Sequence, residues 1–374
     1  MEKIRIAEHF NRVGTTEPHN GYSFSVGRAL TIVILGTLCG LSTVSKIHQW
    51  AVSNQVRGLL AEHFGIAKIP CYPWLLHLLS IINPKSLNRY FIRWSRTLVP
   101  TEQENLTISF DGKTMRSTSD KDEGTQALHI VSAHLANLGI TLGQKTVSDK
   151  SNEIPAMREL IQLLDINGCM VVADALNCQK ETATAILEGG GDFLLNVKGN
   201  QEALEEDIKD YVQDSELKSE MDTAKSREKN GGRIEVRQAF STTDTGWLNE
   251  RHDWPDFASF GAINRITTDI KTGKVSNEWH YYISSRPLTA EQLLSHVRLE
   301  WSVESMHWLL DVHLDEDSSR VRDANVNQNL NITGKIALNI IRHYKNESGS
   351  KQAFSKLMFA NLLDSNHLLR ILHS

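Results

Sequence analysis

The chain has 374 residues, enough for two or three domains and a sizeable core. With 40% hydrophobic and 23% charged residues it reads as an ordinary globular protein, which excludes general disorder and low complexity. A formal net charge of −5 excludes a globally basic protein, so any site for a polyanion must be local.

The first hundred residues read as helical. Their most apolar run, "ALTIVILGTLCGL" at 29–41, is shorter than the ~20 residues a bilayer span needs, and Arg28 and Lys46 bracket it. No cleavage-site pattern follows a basic start, so a buried helix is expected and no membrane role. Two amphipathic stretches follow, "SKIHQWAVSNQVRGLLAEHF" and "PWLLHLLSIINPKSLNRYFIRWSRTL", with Pro70, Pro73 and Pro84 punctuating them. The cysteines at 39, 71, 169 and 178 form no Cys-x-x-Cys pair and no metal-ligand spacing, which reads as reduced thiols in a cytosolic protein.

From residue 106 the pattern changes to short β-branched or apolar runs: "LTISF", "ALHIVSAHL", "GITLGQKTV", "CMVVADA" and "DFLLNVK". Helical patterns at 152–165 and 177–189 separate the later ones. Strands first, then strand–helix–strand–helix, predict a mixed sheet of three antiparallel strands followed by parallel ones. A ribonuclease H-like core has this order, as do many other α/β folds. An acidic amphipathic helix is predicted at 200–218, followed by a basic turn, "KSREKNGGRIEVRQAF", and further β-rich sequence to "HYYISSRPL". No Gly, Ser or Pro-rich linker sets this part apart, so it reads as an insertion within one domain. The organisation predicted is a helical N-terminal domain over 1–100, a catalytic domain over 101–345 with a β-rich insertion at about 219–288, and a helical tail over 346–374.

Two predicted strands end on a carboxylate: "LTISF" on Asp111 and "CMVVA" on Asp174. Buried strands deliver side chains in this way to the open edge of a sheet. A third acid lies in "EQLLSHVRLEWSVESMHWLLDVHLDED", where Thr289 and Gln292 predict a capping box and hence a helix. On that helix Val297, Trp301, Trp308 and Val312 fall on one predicted buried stripe, and Glu304 borders it. Gathered carboxylates need compensating cations. Mg2+ prefers oxygen donors, and two such ions would serve phosphoryl transfer. Taken singly, an aspartate after a strand is more often a turn residue or helix N-cap, and a glutamate at the edge of a core can equally pair with an arginine.

Several ordered motifs carry a resemblance: "FDGKTMRS", "LHIVSAH", "LGQKTVSDKSNEIPAM", "LLDINGCMVVADALNCQK", "GGDFLLNVKGNQ", "GGRIEVR", "YYISS" and "WSVESMHWLLDVHLDEDSSRVR". In this order the chain resembles the transposases of the H-repeat-associated group, an ISAs-type insertion-sequence branch of the DDE superfamily. A weaker resemblance extends over the N-terminal part through "GIAKIP" and "NPKSLNRYFIRW".

The resemblance implies a ribonuclease H-like enzyme that cleaves and joins DNA strands, with Asp111, Asp174 and Glu304 as catalytic acids and ligands of Mg2+ or Mn2+. Its implied partners are double-stranded DNA, as terminal inverted repeats and as target, bound by a homodimer in the cytoplasm. Lys113, Arg116, Lys198, Lys229, Arg233 and Arg237 are the candidate DNA-binding residues. Lys113 and Arg116 would equally suit an exposed basic turn. Related enzymes often carry arginine four before the glutamate and lysine six after it, where this chain has Glu300 and Leu310; Gly231 stands where histidine is common. Two other readings stay open: a catalytically silent DNA-binding descendant, and a DNA nuclease on the same fold.

Overall fold

A computed structural model of the chain describes residues 6–17, 24–100, 105–115, 118, 127–147, 152–255, 257–318 and 321–374. Arg116 and Lys150 lie outside the described residues. The chain divides into two compact units, one of Met1–Glu102, Gly112–Glu153 and Glu304–Ser374, the other of Gln103–Asp111 and Ile154–Val303.

The first unit begins with helices α1 (Ile6–Phe10), α2 (Val26–Leu38), α3 (Val44–Ala51), α4 (Asn54–Phe64), α5 (Tyr72–Ile81) and α6 (Pro84–Arg96). α2 is the predicted apolar helix. Ser25 caps its N-terminus by accepting from the Arg28 amide, and every residue of it except Arg28 is buried. The prolines act as start signals: Pro73 sits in the first turn of α5, and Pro84 opens α6 behind the Asn83 cap. Among the described residues no helix is long and apolar enough to cross a membrane.

Strand β1 (Thr107–Met115) runs from the second unit into the first, which also holds β2 (Leu128–Leu135) and β3 (Ile140–Val147). The second unit holds α7 (Glu153–Leu163, apart from its first residue), β4 (Met170–Ala173), α8 (Lys180–Glu188), β5 (Asp192–Val197), α9 (Glu202–Gln213) and α10 (Ser215–Glu220). The acidic helix predicted at 200–218 is therefore two helices. Asp214 ends the first and caps the second by accepting from the Glu216 and Leu217 amides. Then come β6 (Asp222–Asn230), β7 (Arg233–Thr242), α11 (Gly246–His252), β8 (Ser259–Asp269), β9 (Val275–Ser284) and α12 (Ala290–Glu300). The β6–β7 turn is Gly231–Gly232, both at positive φ (53° and 83°), as a two-residue hairpin of this kind requires.

The strands form one mixed nine-stranded order, β3-β2-β1-β4-β5-β9-β8-β7-β6. β2 and β3 are antiparallel, β4 is parallel to β1 and β5 to β4, and β5, β9, β8, β7 and β6 are successively antiparallel. The sequence predicts three antiparallel strands followed by parallel ones, and the antiparallel β2–β3 pair and the parallel β1–β4 and β4–β5 pairs agree with it. In the second unit Leu293, Leu294 and Val297 of α12 pack on Ala239, Ile263 and Tyr282 of the sheet.

The rest of the first unit is α13 (Ser302–Leu314, apart from its first two residues), α14 (Ala324–Ser348), α15 (Phe354–Leu363) and α16 (Ser365–Leu372). α14 buries polar residues along its length, among them Asn327, Asn329, Asn331, Lys335 and Asn339. Each asparagine has a structural use. Asn329 donates to the carbonyls of Leu79 and Ile82, where α5 ends. Asn339 donates to the Thr141 carbonyl and accepts from the Thr141 amide, pairing with β3 as a neighbouring strand would. Asn88 of α6 does the same for Gln144, and the Ser95 hydroxyl donates to the Leu142 carbonyl.

Candidate active site

Asp111 and Asp174 are placed by backbone register. β1 and β4 are parallel neighbours, and their last matched pair is Phe110 with Ala173. The next residue of each segment is the aspartate, but the two are not alike: Asp174 directly follows β4, whereas Asp111 does not end its strand as the sequence predicts, because β1 runs on to Met115. Parallel strands in a sheet present ligand-facing residues at their carboxyl ends. β5 continues the row: Ala173 is matched with Leu195, and Lys198 follows the strand's end, exposed to solvent. Two acids and one base thus share this edge of the second unit.

The segment after Asp174 is held from both sides. The Asp174 carboxylate accepts from the amide and the side-chain amide of Asn177 (3.3 and 2.9 Å), capping a 3-10 turn over Ala175–Asn177. The Asn200 side chain donates to the carbonyls of Ala175 and Cys178 (2.7 and 3.2 Å), and Gln201 donates to Cys178 as well (3.1 Å). These two residues of "NVKGNQ" are positioning groups that sequence reasoning passed over in favour of Lys198. A polar pair three and four residues beyond a strand end was the available signal. Cys178 is buried beneath this turn, and burial, with a smaller push from Asp174, raises its thiol to about 12. It is no nucleophile.

Glu304 lies in the first turn of α13, exposed to solvent. The predicted capping box of Thr289 and Gln292 is present. The predicted buried stripe is not: Trp301, Trp308 and Val312 are 50%, 57% and 50% exposed. Helix α12 ends at Glu300 and α13 buries Val303, Met306, His307, Leu310 and Leu314 instead. Apolar residues lie on both sides of this helix, and periodicity favoured the larger aromatic ones. Trp301 is instead faced by the Arg265 guanidinium, 5.4 Å from the ring centre.

The basic candidates separate by environment. Lys113 is not on an exposed turn, because β1 continues through Met115. Its side chain is 15% exposed and its ammonium pairs with Asp311 and, at 2.7 Å, with Glu316. Burial alone would lower its pKa, but Glu316 and Asp311 reverse this and the net shift is upward. Arg237 is similarly engaged, with Glu228 at 3.2 Å and with Glu235. Glu228 also receives Arg298 of α12. Lys229 and Arg233 are exposed near the β6–β7 turn. Strand alternation puts Lys229 on the same side as the exposed Lys225 and Arg227.

Next to Asp111, Gly112 lies against a buried pair. His129 and Glu153 are 2.9 Å apart, and His129 also contacts the Thr114 hydroxyl at 2.9 Å. A Cβ at position 112 would sit 2.5 Å from His129 Nε2 and 2.6 Å from Glu153 Oε2, so any larger residue would have to displace the pair. Glu153 opens α7 as the sequence predicts, where its charge suits the helix dipole.

The donor set of the strand edge is chemically suited to a hard divalent cation. Mg2+ binds through one or two carboxylates, with water and substrate phosphate oxygens completing its shell, and two adjoining carboxylates meet that need. Among the described residues no group of three or more His, Cys, Asp or Glu side chains is gathered for a metal ion.

The family model "Transposase DDE domain" matches residues 97–340. "H repeat-associated putative transposase YhhI" of Escherichia coli (strain K12) is 29% identical, over 100% of this chain and 98% of its own length. "Putative transposase YncI" of Escherichia coli O157:H7 is 31% identical over 78% of this chain and 76% of its own. A solved piggyBac transposase synaptic complex with hairpin DNA aligns with a TM-score of 0.48 and 10% identity, covering 99% of this chain and 78% of that one. With the family match spanning well over half of its length, the chain belongs to the DDE transposases, in their H repeat-associated group.

Proposed function

We propose that this transposase moves an insertion sequence by cleaving DNA at terminal inverted repeats and joining the freed ends to target DNA, with Asp111, Asp174 and Glu304 as its metal-binding acids. The observation that supports the reading most is the register of β1 and β4, which brings Asp111 and Asp174 to one sheet edge. In this reading strands β1 to β5 are a ribonuclease H-like core over 101–345, β6 to β9 are its insertion, and the helical residues 1–100 read bases in the DNA ends. The protein acts as a homodimer on double-stranded DNA in the cytoplasm.

When bound, a pair of Mg2+ ions supplies Lewis-acid stabilisation of the attacking and departing oxygens of phosphoryl transfer. Asp111, within β1, and Asp174, just past β4, would hold that charge, and Glu304 would contribute from the start of α13. Asn200 and Gln201 keep the turn after Asp174 in place. Lys198 is set to meet a phosphate of the strand being cut. Lys225, Arg227, Lys229 and Arg233 supply salt-sensitive backbone contacts further along the duplex. Arg237 and Lys113, already ion-paired within the protein, do not share that task.

The test is strand cleavage by purified protein on DNA carrying the element's ends, with target DNA present. Asp111→Asn is expected to lower metal-dependent cleavage at least about 100-fold, a loss of about 3 kcal/mol of transition-state stabilisation. Undiminished cleavage by this variant would sink the assignment. Cleavage without any joined product would identify a nuclease instead.

A further inference from the structure

We propose that Lys113 is a positioning residue: its ammonium group pins α13, the helix that carries Glu304, to the far end of the strand that carries Asp111. This rests on the reading of the three acids as metal ligands.

Lys113 follows Asp111 by two residues on β1, and Asp311 follows Glu304 by seven, two turns along α13. Lys113 Nζ is held by Asp311 of α13 and by Glu316 Oε2 at 2.7 Å, with Asp317 at 3.9 Å. Glu316 lies in the 3-10 turn that follows α13, and its other oxygen accepts from Asn331 of α14. One ammonium therefore ties the strand to the helix, to the turn after it and, through Glu316, to the longest helix of the unit. Glu316 is 6% exposed at its side chain, so its charge is answered inside the protein.

The alternative use of a lysine beside a catalytic aspartate is contact with DNA phosphate. That would require a phosphate to displace two carboxylates from a side chain only 15% exposed. A buried charge stripped of its partner is strongly disfavoured, so the ion pairs persist and the lysine acts through α13. Glu304 itself is exposed in the first turn of that helix, and its carboxylate depends on the helix for its place.

The experiment compares full-length wild type with Lys113→Met, Lys113→Arg and Asp311→Asn in three measurements. These are hydrogen exchange over residues 302–314, calorimetric titration with Mn2+, and binding to a linear duplex across a range of salt. Lys113→Met is expected to speed exchange in α13 and weaken Mn2+ binding about 10-fold, as loss of a group supporting a ligand does. The slope of log binding constant against log salt is expected to stay unchanged. Lys113→Arg should restore both. Asp311→Asn, which leaves the Glu316 pair in place, should act in the same direction with smaller size, and it decides the matter if Lys113→Met fails to fold. A slope flattened by about 0.9 with unaltered exchange would make Lys113 a phosphate ligand and overturn the proposal. Asp111→Asn and Glu304→Gln separate the two levels. If both keep wild-type Mn2+ affinity, the metal-site reading fails. If they weaken it and Lys113→Met does not, the positioning role alone fails.

Discussion

Charged side chains occupy two contrasting places in this protein. Around the carboxyl ends of β4 and β5, Asp111 within β1 is half-buried while Asp174 and Lys198, just past their strands, are exposed. Around α14, Glu316 and Lys335 are buried, and Lys113 nearly so, each engaged by partners from other elements. The second group cannot reach a ligand without breaking the core. Asp111 and Lys113 stand two residues apart on one strand and are both partly buried, so what sets Lys113 apart is its ion pairs with Asp311 and Glu316.

Lys335 gives the largest effect that would break the comparison. Its side chain is 1% exposed and donates to Ser132 Oγ (2.8 Å) and Gln144 Oε1 (2.6 Å), as many bonds as a neutral amine has N–H groups to give. Burial lowers its pKa from 10.5 to about 7, Glu316 opposing and Lys113 assisting. Between those values the unfolded chain holds the proton and the folded chain does not, so stability rises with pH. From pH 7 to 9 the gain is at most about 3 kcal/mol, and Lys335→Met should lack it in urea unfolding followed across that range. Equal pH dependence in both proteins would mean that the core tolerates a charge there.

A smaller effect is expected at the junction between the two places. Gly112→Ala pushes a methyl into His129 and Glu153, both buried, and should cost about 2 kcal/mol in the same unfolding assay. An unchanged midpoint would show that the pair can retreat. The smallest belongs to the strand edge itself. Asn200→Ala removes two hydrogen bonds from the turn after Asp174, a loss of about 1 kcal/mol. It should nonetheless slow cleavage more than its stability change suggests, because the turn sets the place of Asp174, one of the acids proposed to bind metal. Cleavage unchanged from wild type would place the turn outside the reaction.

Much of the strand-edge region was legible in the sequence. Five apolar residues ending on a carboxylate, in "CMVVADA", state both the burial of β4 and the exposure of its end. That parallel strands follow antiparallel ones was legible from the helical patterns lying between the later runs. The core of α14 was not legible, because "NVNQNLN" has the composition of a solvated face. Its asparagines are buried because they answer backbone groups of α5, β3 and other segments far away in sequence, and no local periodicity records such partners. Glu304 shows a third case. Its helix is apolar on both sides, so a pattern with two solutions was read as having one, and Trp301, Trp308 and Val312 proved exposed.

The flanking strands of the nine-stranded order carry a consequence for how the chain survives at high concentration. An open strand edge is a template on which another chain can add and seed an aggregate. β3 is closed to such addition by Asn88 and Asn339, whose amides already occupy the outward backbone groups of Gln144 and Thr141. β6 carries Lys225, Arg227 and Lys229 at alternate, exposed positions. Two copies brought edge to edge there would meet in mutual repulsion, so the residues suited to a polyanion also guard the protein against its own kind.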